Sequence, residues 1–86
     1  METKKVWCVK THIVSFYETT TDDIRLFNAL EDAEKFFDEV ADEGRRLATE
    51  NEWVIGFDDK HNFEAYEEGY YAHTHYYVSL FETKIE

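Results

Sequence analysis

The sequence predicts an α+β domain in the order β-α-β-β-β, with a small, mostly antiparallel sheet and one amphipathic helix packed on one face. Three observations predict this class. β-Branched and aromatic residues alternate in a first segment, an apolar stripe with helical spacing follows, and three strand-like segments come after it. One helix covers one face of such a sheet, so we expect the other face to meet solvent, a partner protein or a second copy.

Length and composition favour a single domain over residues 1–86. Hydrophobic residues make up 43% of the chain and aromatic residues 17%, which is enough apolar surface for a packed core. Proline is absent and there are three glycines, so long elements and short loops are expected.

A first strand is predicted over residues 5–18, where side chains alternate between two faces. The face that we expect to meet the core carries Trp7, Val9 and Ile13. The opposite face carries Lys10 and His12, which favour solvent. Residues 19–23 are polar and predict a turn, and residues 24–27 predict a short extended segment before the helix.

An amphipathic helix is predicted over residues 29–49. Its apolar stripe recurs at steps of three and four residues and consists of Ala33, Phe36, Phe37, Val40, Ala41, Gly44, Leu47 and Ala48. Asn28 and Glu31 have the spacing of a capping box at the start of the helix. Gly44 costs the helix about 1 kcal/mol relative to alanine, so we expect it to permit a close approach to the sheet.

Three strands are predicted after the helix, over residues 52–57, 63–66 and 70–85. Turns are predicted between them, at residues 58–62 and 67–69.

The histidines form the first candidate site. His73 and His75 are two residues apart on one predicted strand and share a face; His12 and Cys8 would join them if the first and last strands pair. Imidazole and thiolate are zinc ligands, so His12, His73 and His75 are metal-binding candidates. A His-x-His pair fixes no third ligand, however, and hydrogen-bonded histidines without a metal or cofactor are the favoured interpretation.

The tyrosines form the second candidate site, because five of the six lie within residues 66–77. Tyrosine combines a large contact area with one polar group, which suits interfaces, although it also suits the buried positions of strands. The leading hypothesis is a protein-interaction or regulatory module that binds a protein partner or itself through the uncovered face. The residues expected to carry this interaction are Tyr71, His73, His75 and Tyr77.

The net charge of −11 restricts the partners. A negative field repels phosphate, so direct binding to nucleic acid or to an anionic membrane is not expected, whereas neutral or basic partners are. The segment from Glu31 to Glu50 carries eight acids and three bases. A second hypothesis is therefore an acidic nucleic-acid mimic, of the phage or mobile-element type, that inhibits a DNA- or RNA-binding protein. A solvated helix face is the simpler interpretation of the same charges.

Catalytic motifs are missing from the sequence, which has no Gly-rich phosphate loop, nucleophile elbow or His-Glu-x-x-His, so a non-enzymatic protein is predicted. Cys8 is the one cysteine, which excludes an intramolecular disulfide and suits a reducing compartment. No apolar segment has the features of a signal peptide or the length of a membrane span, and a cytoplasmic location is expected.

Overall fold

The computed structural model describes residues 4–14, 20–68 and 74–85. These residues form five strands and one helix, in the order β1 (Lys4–Val14), β2 (Thr20–Phe27), α1 (Leu30–Asn51), β3 (Val54–Asp58), β4 (Asn62–Tyr66) and β5 (His75–Ile85). The strands pair antiparallel in one sheet with the spatial order β2-β1-β5-β4-β3. The α+β class is confirmed, and the first and last strands are neighbours.

The core lies between α1 and one face of the sheet. Its largest fully buried side chains are Phe37, Phe63, Val9 and Val78. The predicted core face of β1 is confirmed, because Trp7 and Ile13 pack against the same cluster as Val9. The predicted helix stripe is confirmed as well, since its positions are either buried or packed against that cluster.

Gly44 is the point of closest approach between α1 and the sheet. A Cβ atom at this position would lie 2.6 Å from Cε1 of Phe63 and 2.6 Å from Cε1 of Tyr76. Tyr76 is held in place because its hydroxyl donates a hydrogen bond of 2.7 Å to the carbonyl oxygen of Val40. The predicted role of Gly44 is therefore confirmed.

The element order differs from the prediction because residues 20–23, predicted as a turn, belong to β2. Two threonines and two aspartates read as a turn by local preference, but pairing with β1 places His12 opposite Asp22 and Thr11 opposite Asp23. Tertiary hydrogen bonding thus outweighs the local preference. Residues 15–19, which include the end of the predicted first strand, lie outside the described residues.

Both ends of α1 differ from the prediction. Ala29, in an extended conformation, occupies the N-cap position without a side-chain hydrogen bond, so the capping box predicted at Asn28 is wrong. At the other end, Glu52 adopts a left-handed conformation with φ 57°, and the N–H of Trp53 donates to the carbonyl of Ala48 at 2.9 Å. Because of this turn, the next strand starts at Val54 and not at residue 52.

The described part of the final strand begins at His75, and Thr74 before it is not in a strand. Residues 69–73, with the predicted turn glycine Gly69 and the start of the predicted strand, lie outside the described residues. The N–H of Glu67 donates to the carbonyl of Thr74 at 3.0 Å, which brings the end of β4 beside the start of β5.

Candidate interaction surface

The face of the sheet opposite α1 is the candidate functional surface, and we call it the open face. Among the described residues, α1 is the one helix, and it packs on the other side. The register places the following side chains on the open face: Cys8, Lys10, His12, Asp22, Ile24, Leu26, Phe57, Glu64, Tyr66, His75, Tyr77, Ser79 and Phe81. Its charged side chains are few in comparison with the eight acids and three bases of α1.

One half of the open face is apolar. Leu26, Cys8 and Phe81 stand opposite one another across three strands. Leu26 is 54% exposed and Phe81 is 44% exposed, and Ile24 beside them is 61% exposed. Cys8 lies buried between its two larger neighbours, and this burial raises the pKa of its thiol. An inert thiol is therefore expected at Cys8.

The other half of the open face carries histidines with carboxylate partners. His12 bonds through Nδ1 to Asp22, and His75 lies 2.9 Å through Nε2 from Oε2 of Glu64. The centres of the two imidazole rings are 6.3 Å apart. Tyr77 stacks on His75 with an angle of 8° between the ring planes. Of the four residues that could converge, the structure brings His12 and His75 together, whereas Cys8 lies four residues from His12 along β1, opposite Leu26 and Phe81.

The predicted metal site remains a prediction. No group of three or more His, Cys, Asp or Glu side chains within residues 4–14, 20–68 and 74–85 has an arrangement that could hold a metal ion. His73, the third proposed ligand, and Tyr71, a proposed interaction residue, lie outside the described residues. The ring nitrogens that bond to Asp22 and Glu64 are each occupied by a carboxylate, an arrangement that orients both rings on the surface.

The remaining tyrosines serve different roles. Tyr76 faces the core and not the open face, and burial raises its pKa to about 12. Tyr66 is exposed on the open face opposite His75. Tyr76 therefore packs in the core, whereas Tyr66 is exposed to solvent.

A groove of about 480 Å³ separates α1 from the helix-facing side of β2. Its lining includes Ile13, Phe36, Val40 and Tyr76, together with Asp23 and Arg25. The guanidinium of Arg25 lies 4.8 Å from the ring centre of Phe36, and its Nε donates to Asp23 at 3.3 Å. The strand β2 is therefore only partly covered by the helix.

The acids of α1 are partly neutralised by neighbouring bases. Arg46 binds Glu43 and Glu50, and its hydrogen bond to Glu43 holds the pKa of that carboxyl below its usual value. Arg45 binds Asp42 and also Asp58, on β3, whose pKa it likewise lowers. These pairs neutralise part of the negative charge that a nucleic-acid mimic would present on α1. The mimic hypothesis itself is not tested by these contacts and stays a prediction.

The exposed apolar residues Ile24, Leu26, Phe57 and Phe81 were not among the predicted interaction residues. A signal for two of them is present in the sequence, since Asp22, Ile24 and Leu26 alternate as one face of a strand does. The local preference of residues 20–23 for a turn obscures this alternation. Phe81 lies on the predicted final strand. Its position in one row with Cys8 and Leu26, however, depends on the strand order, which the sequence does not reveal.

Comparisons with protein-family models, with curated proteins and with solved structures found no match to this chain. The described residues contain no helix with the length and apolar character needed to cross a membrane.

Proposed function

We propose that this chain is a non-enzymatic interaction module that binds a partner protein through the open face. One observation carries the proposal. Seven large hydrophobic side chains are exposed among the described residues, and five of them lie on the open face: Ile24, Leu26, Phe57, Tyr66 and Phe81. Ile24, Leu26 and Phe81 form one group around Cys8, and a group of exposed apolar side chains on one face of a small protein is characteristic of a binding site.

The size of the open face suits a protein partner. The five strands hold about 40 residues, and each covers about 16 Å² of one face at ordinary strand spacing, which gives roughly 640 Å². A standard interface uses about 800 Å² per partner. Standard interfaces extend from about 600 to about 1,000 Å² per partner, so the open face lies at the lower end of this range.

The charge of the chain indicates the character of the partner. The net charge of −11 creates a negative field that attracts basic proteins and repels acidic ones. The open face itself offers apolar side chains beside the polar groups of His12, His75 and Tyr77. We therefore expect a partner of net positive charge whose contact surface combines apolar side chains with hydrogen-bonding groups.

The test compares Phe81→Asp with Ile55→Asp as a matched control. Both side chains are large, apolar and 44% exposed, but Ile55 points to the helix side of the sheet, opposite Ala65. Proteins retained by the tagged wild-type chain are quantified by mass spectrometry and compared with those retained by each variant. We expect Phe81→Asp to lose the basic partner and Ile55→Asp to keep it, with both variants folded by circular dichroism.

A second variant, His75→Ala with Tyr77→Ala, tests the polar half of the open face. We expect it to weaken the same complex without unfolding the domain, because both side chains are only partly buried. Equal recovery of the same partners by wild type, Phe81→Asp and the double variant would refute the proposal.

A further inference from the structure

The strand β2 is an edge strand that is open to pairing. It hydrogen-bonds to β1 along one side over residues 20–27 without a register shift, and no described strand pairs with its other side. The opposite edge, β3, is five residues long and is interrupted by a bulge between Ile55 and Phe57. Bulges and short strands discourage edge pairing, so β2 is the more accessible edge.

The sequence of β2 is complementary to itself in one antiparallel register. If a two-fold axis passes through Ile24, Asp23 of each copy stands opposite Arg25 of the other, and both pairs lie on the helix side. On the open face, Ile24 then meets Ile24 of the second copy. The remaining pairs are Asp22 with Leu26 and Thr21 with Phe27.

The neighbouring registers do not share this complementarity. Moving the axis to Asp23 places two aspartates opposite each other, and moving it to Arg25 places two arginines opposite each other. Axes between residues would put helix-facing side chains opposite open-face side chains, which the pleat forbids. Complementary charge therefore selects a single register.

We propose that β2 pairs with β2 of a second copy around Ile24, which joins two five-stranded sheets into one sheet of ten strands. This inference concerns the edge of the sheet and does not depend on what the open face binds. It also explains why Ile24, at 61% the most exposed large hydrophobic side chain among the described residues, lies on an edge strand. In the paired form this side chain is covered by its equivalent.

The charges at this edge are available for pairing. The side chains of Arg25 and Asp23 are 60% and 47% exposed, and their mutual distance of 3.3 Å places them in one row along the strand. Side chains directly opposite across an antiparallel pair have Cβ atoms about 5 Å apart. Each Arg25 would thus lie between the Asp23 of its own chain and the Asp23 of the second copy.

The expected complex is weak but specific. Antiparallel pairing adds about one backbone hydrogen bond per residue pair, over a contact smaller than the standard interface of about 800 Å² per partner. We therefore expect a dissociation constant in the micromolar range. Charges on an edge strand also serve to prevent pairing in some proteins, and charge reversal at Asp23 and Arg25 separates that role from the proposed one.

The test uses the charge-reversal variants Asp23→Arg and Arg25→Asp, with solution mass measured by sedimentation equilibrium from low to several hundred micromolar. By symmetry each single variant replaces both ion pairs with like charges. We therefore expect the dissociation constant of each variant to be at least about tenfold higher than that of wild type. The double variant D23R/R25D restores both pairs and should dimerise. An equimolar mixture of the two single variants should form a heterodimer, because every opposed pair is then complementary.

Ile24→Lys gives a second, independent variant, since it places two lysines at the two-fold axis and should abolish the dimer. Thermal unfolding of every variant verifies that the domain is folded. A wild-type monomer over the whole concentration range would overturn the inference. So would a dimer that persists in both single variants, because it would use another surface. Neither result would affect the binding of a basic partner through Phe81.

Discussion

The contact between Gly44 and the sheet allows one prediction to be worked out from distances. Replacing Gly44 by alanine adds a Cβ at 2.6 Å from two ring carbons, one of Phe63 and one of Tyr76, where van der Waals contact requires at least 3.4 Å. Neither ring can retreat easily, because Phe63 is fully buried and the Tyr76 hydroxyl is bonded to the Val40 carbonyl. The helix must therefore move outward from the sheet.

The magnitude follows from two opposing effects. Overpacking of a close-packed core costs about 1–3 kcal/mol. Alanine gains about 1 kcal/mol over glycine in the middle of a helix. The net expectation for Gly44→Ala is a loss of about 1 kcal/mol, and of about 2 kcal/mol at most, in the free energy of unfolding. For a domain of this size a loss of 1 kcal/mol lowers the melting temperature by about 4–8 °C.

Urea denaturation followed by circular dichroism and tryptophan fluorescence measures this loss. Asp38→Ala is the control, since Asp38 is exposed on the same helix and gains helix propensity without any steric contact. The control is expected to be as stable as wild type or more stable. A Gly44→Ala variant that matches or exceeds the wild-type stability would refute the close-approach argument, because propensity alone would then decide the result.

Three further predictions concern ionisable groups. Tyr76→Phe removes the hydrogen bond to Val40 and should cost about 1 kcal/mol at neutral pH. Because the pKa of Tyr76 is raised to about 12, its contribution is present below about pH 10 and is lost as the pH rises through 12, so the variant should lose less stability between pH 9 and pH 12 than wild type. Asp58→Asn removes the negative charge that faces Arg45 and one of the two acceptor oxygens, and should cost about 0.2–1 kcal/mol at neutral pH, as loss of an exposed ion pair does. Since the pKa of Asp58 is lowered, this stabilisation is present above its unfolded pKa and lost as pH falls through the folded value; urea titrations of wild type and variant should converge in acid. The buried thiol of Cys8, whose pKa is raised, should react with a thiol reagent much more slowly in the native protein than in urea, and equal rates would contradict its burial.

Patterns that depend on burial were predictable from the sequence. The stripe that includes Phe37 and Gly44 has the helical period, and Val9 lies on the face of β1 opposite Lys10 and His12, so the core side of both elements follows from the sequence pattern. The strand β2 was not predictable in this way. Its first four residues favour a turn locally, and their extended conformation comes from pairing with β1, a contact between distant parts of the chain.

The candidate surface was predictable only in part, because its residues come together through strand pairing. His12 and His75 were expected to converge if the first and last strands paired, and they do. Their carboxylate partners, Asp22 and Glu64, lie on strands whose positions in the sheet the sequence does not reveal. Contacts that depend on which strands are neighbours in the sheet are therefore the ones that the sequence does not predict.

Pairing at β2 would change which residues lie at the centre of the open face. In one copy, Ile24 and Leu26 lie at the rim of the sheet, where contacts contribute little to affinity because water reaches them. In a sheet of ten strands the same residues of both copies lie at its centre, where energetically dominant contacts concentrate. If both proposals hold, Asp23→Arg should weaken partner binding as well as self-association, although Asp23 lies on the helix side of the sheet. Phe81→Asp should weaken partner binding alone, because β5 is separated from the β2 edge by β1. The two substitutions therefore distinguish a partner that recognises the paired sheet from one that recognises a single copy.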